Sequence, residues 1–200
     1  MRATFVIISF VFVTAFLHSQ NMPGTWEFSL SGTMGSFSLS TESSISLGTP
    51  ISSSESYGYL SLAIRPGLFI AKGFEFEPEI FWTAMKDQPP ALNLSGNLAY
   101  NFTISNSRLS PFLLAGYGVG NAVPIFQRVF ARSSDKFDIP LLNVGAGLKY
   151  YFSDWIALRT EYRYQRYSWE NSYASGAYSS TMKYAWNFHN VFVGFSVFLP

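Results

Sequence analysis

The sequence predicts an all-β fold, an eight-stranded antiparallel up-and-down β-barrel, and three observations predict it. Side-chain character alternates with a period of two along eight segments, most of them 9 residues or longer. No 3.6-residue apolar stripe accompanies them, so almost no helix is expected. Short and long joins alternate strictly along the chain, as they must if all the long ones share one rim. Composition narrows the class further. Of the 200 residues 48% are hydrophobic, an ordinary share, but 18% are aromatic and only 12% charged, about half the usual fraction. That bias excludes a disordered chain. A formal net charge of +1 supplies no basic footprint for nucleic acid, so no nucleic-acid partner is expected. With 15 Gly and 10 Pro the chain is not collagen-like or low-complexity.

The first segment is read as a leader rather than as part of the fold. Arg2 is a short positive region, and Ala3 to Leu17 is apolar except for Thr4, Ser9 and Thr14. Leu17-His18-Ser19 then offers a cleavage site. Residues 1–19 are therefore expected to be a cleaved signal peptide, and 20–200 the barrel domain. A fifteen-residue stretch is short for a membrane anchor, and no later run is long enough to be a spanning helix. Removing Arg2 leaves 12 basic and 12 acidic residues. With no cysteine, an exported chain has no disulfide frame and no thiol chemistry.

The strands follow in order. Trp26, Phe28 and Leu30 oppose Glu27, Ser29 and Ser31, after which the pattern slips parity near Met34, as a β-bulge would make it do. Leu60, Leu62, Ile64, Leu68 and Ile70 oppose Tyr59, Ser61, Ala63 and Arg65. Phe74, Phe76, Pro78, Ile80 and Trp82 alternate with Glu75, Glu77, Glu79 and Thr83. From Leu92 to Ile104 the alternation is unbroken, with Leu94, Leu98, Tyr100 and Phe102 against Asn93, Asn97 and Asn101. Leu113, Ala115, Tyr117 and Val119 oppose Gly116, Gly118 and Gly120. Leu142, Val144, Ala146, Leu148, Tyr150 and Phe152 oppose Asn143, Gly145, Gly147 and Lys149. Ile156, Leu158, Tyr162 and Tyr164 alternate with Arg159, Glu161, Arg163 and Gln165. Val191, Val193, Phe195, Val197 and Leu199 oppose Asn190, Gly194 and Ser196.

Short joins are expected around Ala71-Lys72-Gly73, Ser105 to Ser110, and Ser153-Asp154-Trp155. The other joins, roughly 40–56, 86–91, 121–139 and 169–183, are expected to be mostly longer loops. The first of these holds eight serines in seventeen residues, a solvated tip.

Which face lines the barrel decides what kind of protein it is. A soluble barrel of lipocalin type turns its apolar face inward, and a membrane barrel turns it outward. An eight-stranded barrel is only just wide enough to be filled by side chains, so glycines belong on its inner surface. Here Gly116, Gly118, Gly120, Gly145, Gly147 and Gly194 lie on the polar face. That face also takes Glu27, Arg65, Glu75, Glu77, Glu79, Lys149, Arg159, Glu161 and Arg163, four positive and five negative. Near-balance is what a filled interior of paired charges requires, because an unpaired buried charge costs several kcal/mol. Arg65 is expected across its hairpin from Glu77 or Glu79, and Lys149 across its turn near Glu161. The opposite face carries almost no charge. The expectation is thus an eight-stranded antiparallel up-and-down transmembrane β-barrel, with these nine residues as a structural charge network in the lumen.

At this point the residues resemble a known family. Leu142-Asn-Val-Gly-Ala-Gly-Leu-Lys-Tyr-Tyr-Phe-Ser-Asp-Trp-Ile-Ala-Leu-Arg-Thr-Glu-Tyr-Arg-Tyr, running on to Tyr167, resembles the penultimate hairpin of small outer-membrane β-barrels of the OmpA/OmpX type. His189-Asn-Val-Phe-Val-Gly-Phe-Ser-Val-Phe-Leu199 is similar to that family's closing strand. The resemblance implies a place in the cell outer membrane, among its lipids and lipopolysaccharide. It implies long loops outside the cell, facing an extracellular partner that the sequence does not identify, with short turns and the N-terminus in the periplasm. The last strand, with Val191, Val193, Phe195, Val197 and Leu199 outward, would carry the signal read by the barrel-assembly machinery. That signal usually ends in an aromatic residue, whereas this chain ends Phe198-Leu199-Pro200. No peptidoglycan-binding domain is expected after the barrel.

The functional expectation is a structural or surface-interaction role, with a filled charged lumen and no large pore. No enzyme is expected, and no catalytic, cofactor-binding or metal-binding residue is assigned. After the leader the one histidine is His189, with no serine elbow beside it. A single histidine builds no metal site. Gly116-Tyr-Gly-Val-Gly120 lies within a strand and opens no helix, so it is no phosphate loop. Two alternatives stand beside this reading. Gly24-Thr25-Trp26 matches the Gly-x-Trp motif of lipocalins, soluble ligand-binding barrels. A lipid A-modifying outer-membrane enzyme is the other, resting on fold analogy alone.

Overall fold

Alternating residues favour extended backbone because each strand buries one face and presents the other to a second environment. A computed structural model describes residues 22–43, 51–85, 90–121, 139–175 and 178–199, with side chains at all of these except 36–57, 169–184 and 186. The expected leader and the centres of the long joins lie outside the described residues. Eight strands account for nearly all the rest: β1 Trp26–Ser43, β2 Ile51–Ala71, β3 Phe74–Met85, β4 Ala91–Asn101, β5 Leu109–Gly120, β6 Ile139–Ser153, β7 Ile156–Ser175 and β8 Tyr178–Leu199. No helix of the described chain is long and apolar enough to cross a membrane.

Each strand pairs antiparallel with its sequence neighbours, and β1 pairs with β8 from Trp26↔Leu199 to Gly32↔Val193, which closes the barrel. The registers set the tilt. Stepping across the ladders from Leu199 leads through Trp26, Leu68, Phe76, Leu98, Ala115, Val144 and Tyr164 to His189, ten residues back on the starting strand. Such a stagger tilts the strands steeply against the barrel axis and leaves a bore that side chains can fill.

Tight turns hold one rim. Lys72-Gly73 joins β2 to β3 with Gly73 at φ 77°, and Asp154-Trp155 joins β6 to β7. The third short join, 102–108, is pinned by Phe102 N–H donating to the Pro111 carbonyl at 2.8 Å.

Two expectations about the strands need correction. The ladder from Trp26↔Leu68 to Ser43↔Ile51 runs in one register, so there is no bulge near Met34, which faces outward in step with Leu30. Register irregularities occur instead beside two tight turns, at Phe69/Ala71 and Tyr151/Ser153. The segments 40–56 and 169–183 are largely ladder rather than loop, because β1 pairs β2 out to Ser43↔Ile51 and β7 pairs β8 out to Ser175↔Tyr178. These hairpins extend past the point where β1 and β8 stop pairing. A projecting two-stranded hairpin has no closed barrel to bury one face, so it carries no apolar period, and its serine-rich sequence reads as loop.

The outside of the barrel is apolar over most of the described strands. Leu30, Leu62, Ile64, Leu113, Val144, Val193 and Phe195 are among the large side chains exposed there. Aromatic rings collect near the tight-turn rim: Phe74 against Tyr100 at 4.7 Å, Tyr100 against Phe102 at 4.8 Å, and Trp26 stacked on Phe28 at 6.2 Å. A continuous exposed apolar surface bordered by such rings fits a lipid-facing band.

Candidate functional site

The lumen is where the polar parity of all strands converges. Every one of the nine charged residues singled out from the sequence is buried, none more than 2% exposed. They form one connected network. Lys149 Nζ lies between Glu27 and Glu75, donating to Glu27 Oε2 and, at 2.9 Å, to Glu75 Oε2. Arg159 grips Glu77 with two bonds, at 2.7 and 3.0 Å, and reaches Glu161 at 3.1 Å and Glu27 at 3.4 Å. Arg65 joins Glu79 at 2.5 Å, Glu161 at 3.1 Å and the Ser31 hydroxyl at 2.8 Å. Arg163 spans both Glu79 oxygens at 2.7 Å and meets Glu161 Oε1 at 2.5 Å.

Arg65 therefore faces Glu79, one of its two expected partners. Lys149 does not meet Glu161 as expected. Lys149 is opposite Arg159 in the β6–β7 ladder, and its ammonium turns across the lumen to Glu27 and Glu75 on β1 and β3. Glu161 instead collects three guanidiniums. In so narrow a bore a long side chain reaches the far wall as readily as its neighbour, so adjacency along a hairpin does not choose its partner.

Sequence reasoning missed the aromatic part of the lumen. Phe69, Tyr151, Ala157 and Phe198 form a buried cluster at the tight-turn end. The Lys149 ammonium lies 5.3 Å from the Phe112 ring centre, 5.6 Å from Phe69 and 5.8 Å from Phe198. Arg159 sits 4.4 Å over Phe112, and Arg163 sits 5.0 Å over Phe192, which meets Phe81 edge-on. Rings with a negative face suit a site where cations are stripped of water. Parity alone would have found them: Phe69 is in step with Arg65, Phe81 with Glu79, and Phe198 with Ser196.

The inward glycines admit these large groups. A Cβ at Gly147 would collide with the Phe112 ring and the Thr160 carbonyl, and one at Gly67 with the Glu75 carboxylate.

Beyond the ions an amide chain crosses the lumen. Tyr59 Oη donates to Asn190 Oδ1 at 2.6 Å, Asn190 to Gln165 at 2.8 Å, Gln165 to Asn143 at 3.1 Å, and Asn143 to Asn97 at 3.2 Å. At the long-join end the bore opens into a small cup lined by Tyr59, Phe81, Tyr167 and Phe188 with Ser61, Asn93 and Asn190.

Glu27, Glu75 and Glu77 offer oxygens within 4.8 Å of one another, a spacing that suits a metal ion. The ammonium of Lys149 and the guanidinium of Arg159 already lie among them and supply the positive charge there. The lipocalin alternative fails on the same geometry: a ligand cavity would need an apolar interior, and the ion network occupies that space. Trp26 of the Gly-x-Trp match faces outward, 43% exposed. His189 also faces outward, with Tyr162 Oη 2.6 Å from its Nδ1.

Comparison with known proteins agrees with this architecture. Comparison with curated protein sequences gives no match. The fold is similar to the crystal structure of Neisserial surface protein A, with a TM-score of 0.52, 17% identity, and coverage of 87% of this chain and 96% of that one. It is similar also to a de novo designed transmembrane β-barrel, with a TM-score of 0.50, 12% identity, and coverage of 91% and 100%. The family model for the outer membrane protein beta-barrel domain matches residues 9–196. A closed eight-stranded barrel, apolar outside and ionic within, is thus matched by sequence over nearly its whole length, and the chain belongs to the outer membrane protein beta-barrel domain family.

Proposed function

We propose that this protein is a non-conducting component of the outer membrane, acting structurally and through its surface. The observation that carries this reading is the filled lumen, where a network of nine charged side chains and the ring cluster at the tight-turn end occupy the bore. A barrel of this size has no room left for a wide channel once its side chains meet. Tight turns and the N-terminus face the periplasm, and the projecting hairpins meet external partners. The leader directs export. Val191, Val193, Phe195, Val197 and Leu199 form the outward edge of β8 that the assembly machinery reads. Lipids and lipopolysaccharide surround the apolar face. No catalytic role is assigned to His189, whose hydrogen-bond partner is a tyrosine rather than a nucleophile with its base.

Two measurements test the reading. The protein should fractionate with the outer membrane and change its gel mobility on boiling; recovery as a soluble periplasmic protein would overturn it. In planar bilayers, steady porin-like openings would overturn the closed lumen.

A further inference from the structure

Among the strand residues whose side chains are described, one outward position is charged, and it is Arg166 on β7. It stands opposite Asn187 of β8, and the neighbouring outward pair is Tyr164 opposite His189. Arg166 is the tenth residue after Ile156, which starts the strand at the tight-turn rim. At about 3.3 Å per residue and a tilt of about 45°, that places it about 23 Å up the barrel, at the edge of an apolar band about 25 Å tall. Below it on the same face lie Leu158, Thr160 and Tyr162, and on β8 Val191, Val193 and Phe195.

The hydrogen bonds at this spot consume acceptors and leave donors. Tyr164 Oη donates to Asn187 Oδ1 at 2.6 Å, so the Asn187 amide N–H groups remain to point elsewhere. Tyr162 Oη lies 2.6 Å from His189 Nδ1, and with the hydroxyl as donor the ring proton of a neutral imidazole sits on Nε2. The Tyr164 ring packs against the imidazole at 5.3 Å and fixes its orientation. Arg166 has no ion pair among the described residues, and no carboxylate faces the same way among the described side chains. Three exposed groups within two rungs of one ladder therefore offer N–H donors and positive charge, at the depth where the headgroups of lipids lie.

We propose that Arg166, Asn187 and His189 form a site on the outer face of β7 and β8 for the phosphorylated headgroup of a lipid in the surrounding leaflet. A guanidinium binds phosphate oxygens in pairs, and amide and imidazole N–H groups complete such a cradle. The acyl chains would lie down the Leu158 and Val193 face, and Tyr162 and Tyr164 act as positioning residues for His189 and Asn187. This inference rests on the outer-membrane reading above.

The test uses the purified, folded full chain in mild detergent, with lipid retention read by native mass spectrometry. The probes are bis-phosphorylated lipid A and the same lipid A stripped of its phosphates. The wild type should retain the phosphorylated form about tenfold better, the worth of one charge-assisted hydrogen bond. Arg166→Gln should reduce retention to the stripped level. Tyr162→Phe should lower it in part while leaving the stripped lipid unaffected. Equal retention of the two lipids, or an Arg166→Gln variant that behaves as wild type, would overturn the site. Displacement of lipid A by millimolar inorganic phosphate would overturn it too, by making it a site for a free anion. Boiling-dependent gel mobility is measured on every sample. A chain that never shows it refutes the barrel reading itself, whereas a folded barrel with phosphate-independent retention refutes this site alone.

Discussion

Arg159 holds Glu77 through two parallel hydrogen bonds, Nη1 to Oε1 at 2.7 Å and Nη2 to Oε2 at 3.0 Å, from opposite walls of the lumen. Both side chains are buried, so neither has water to fall back on. Removing one partner of such a pair strands the other charge, at a cost of about 3–5 kcal/mol. Arg159→Ala should therefore lower the urea midpoint of the barrel folded in lipid vesicles, followed by tryptophan fluorescence. Glu77→Leu combined with Arg159→Met should cost less than the sum of the single changes. Additive losses would show that the two side chains do not act as a pair.

The packing of Phe112 against Gly147 makes a second expectation. Gly147→Ala places a methyl group against the ring and the Thr160 carbonyl, an overpacking of about 1–3 kcal/mol. Shortening the ring in a Gly147→Ala/Phe112→Leu double variant should recover part of that loss in the same unfolding assay. A Gly147→Ala variant as stable as the wild type would show that the lumen is looser than its contacts imply.

Parity and depth can be tested from the outside. Val193 faces outward six residues from the tight-turn end of β8, opposite Thr160 of β7 and Gly32 of β1. Val193→Arg should cost about 2–4 kcal/mol, the penalty for a basic side chain near the bilayer midplane, whereas Ser168→Arg at the outer end should cost about 0–1 kcal/mol. Equal costs at the two positions would place the lipid band elsewhere on the barrel.

The end of β8 bears on assembly rather than on stability. Leu199 occupies the outward position where an aromatic terminus is usual, and pairs with Trp26. Leu199→Phe should raise the fraction that reaches the boiling-sensitive form in outer membranes when the assembly machinery is limiting. Its unfolding midpoint in vesicles should stay unchanged. An unaltered yield would argue that the signal resides elsewhere on the strand.

Much of this protein could be read without coordinates, and the residues explain why. Leu94, Leu98 and Tyr100 alternate with Asn93, Asn97 and Asn101 because lipid and lumen impose opposite demands on the two sides of one strand. Any segment crossing both environments must record that contrast, so the sequence by itself determined the strand count, the faces and the membership of Glu27, Arg65 and Lys149 in the interior. The hairpin segments 40–56 and 169–183 read as loop because both of their sides leave the closed barrel, and the contrast disappears.

Partner choice needed the tertiary structure. Lys149 turned from the Glu161 side to Glu27 and Glu75, and Glu161 gathered Arg65, Arg159 and Arg163. Parity states which face a charge occupies, but the ten-residue stagger sets which charges share a level of the bore. That stagger is fixed only when β1 meets β8. The same closure sets Arg166 beside Asn187 and His189 on one patch of the outer wall, whereas period-two alternation records only that each of the three looks outward.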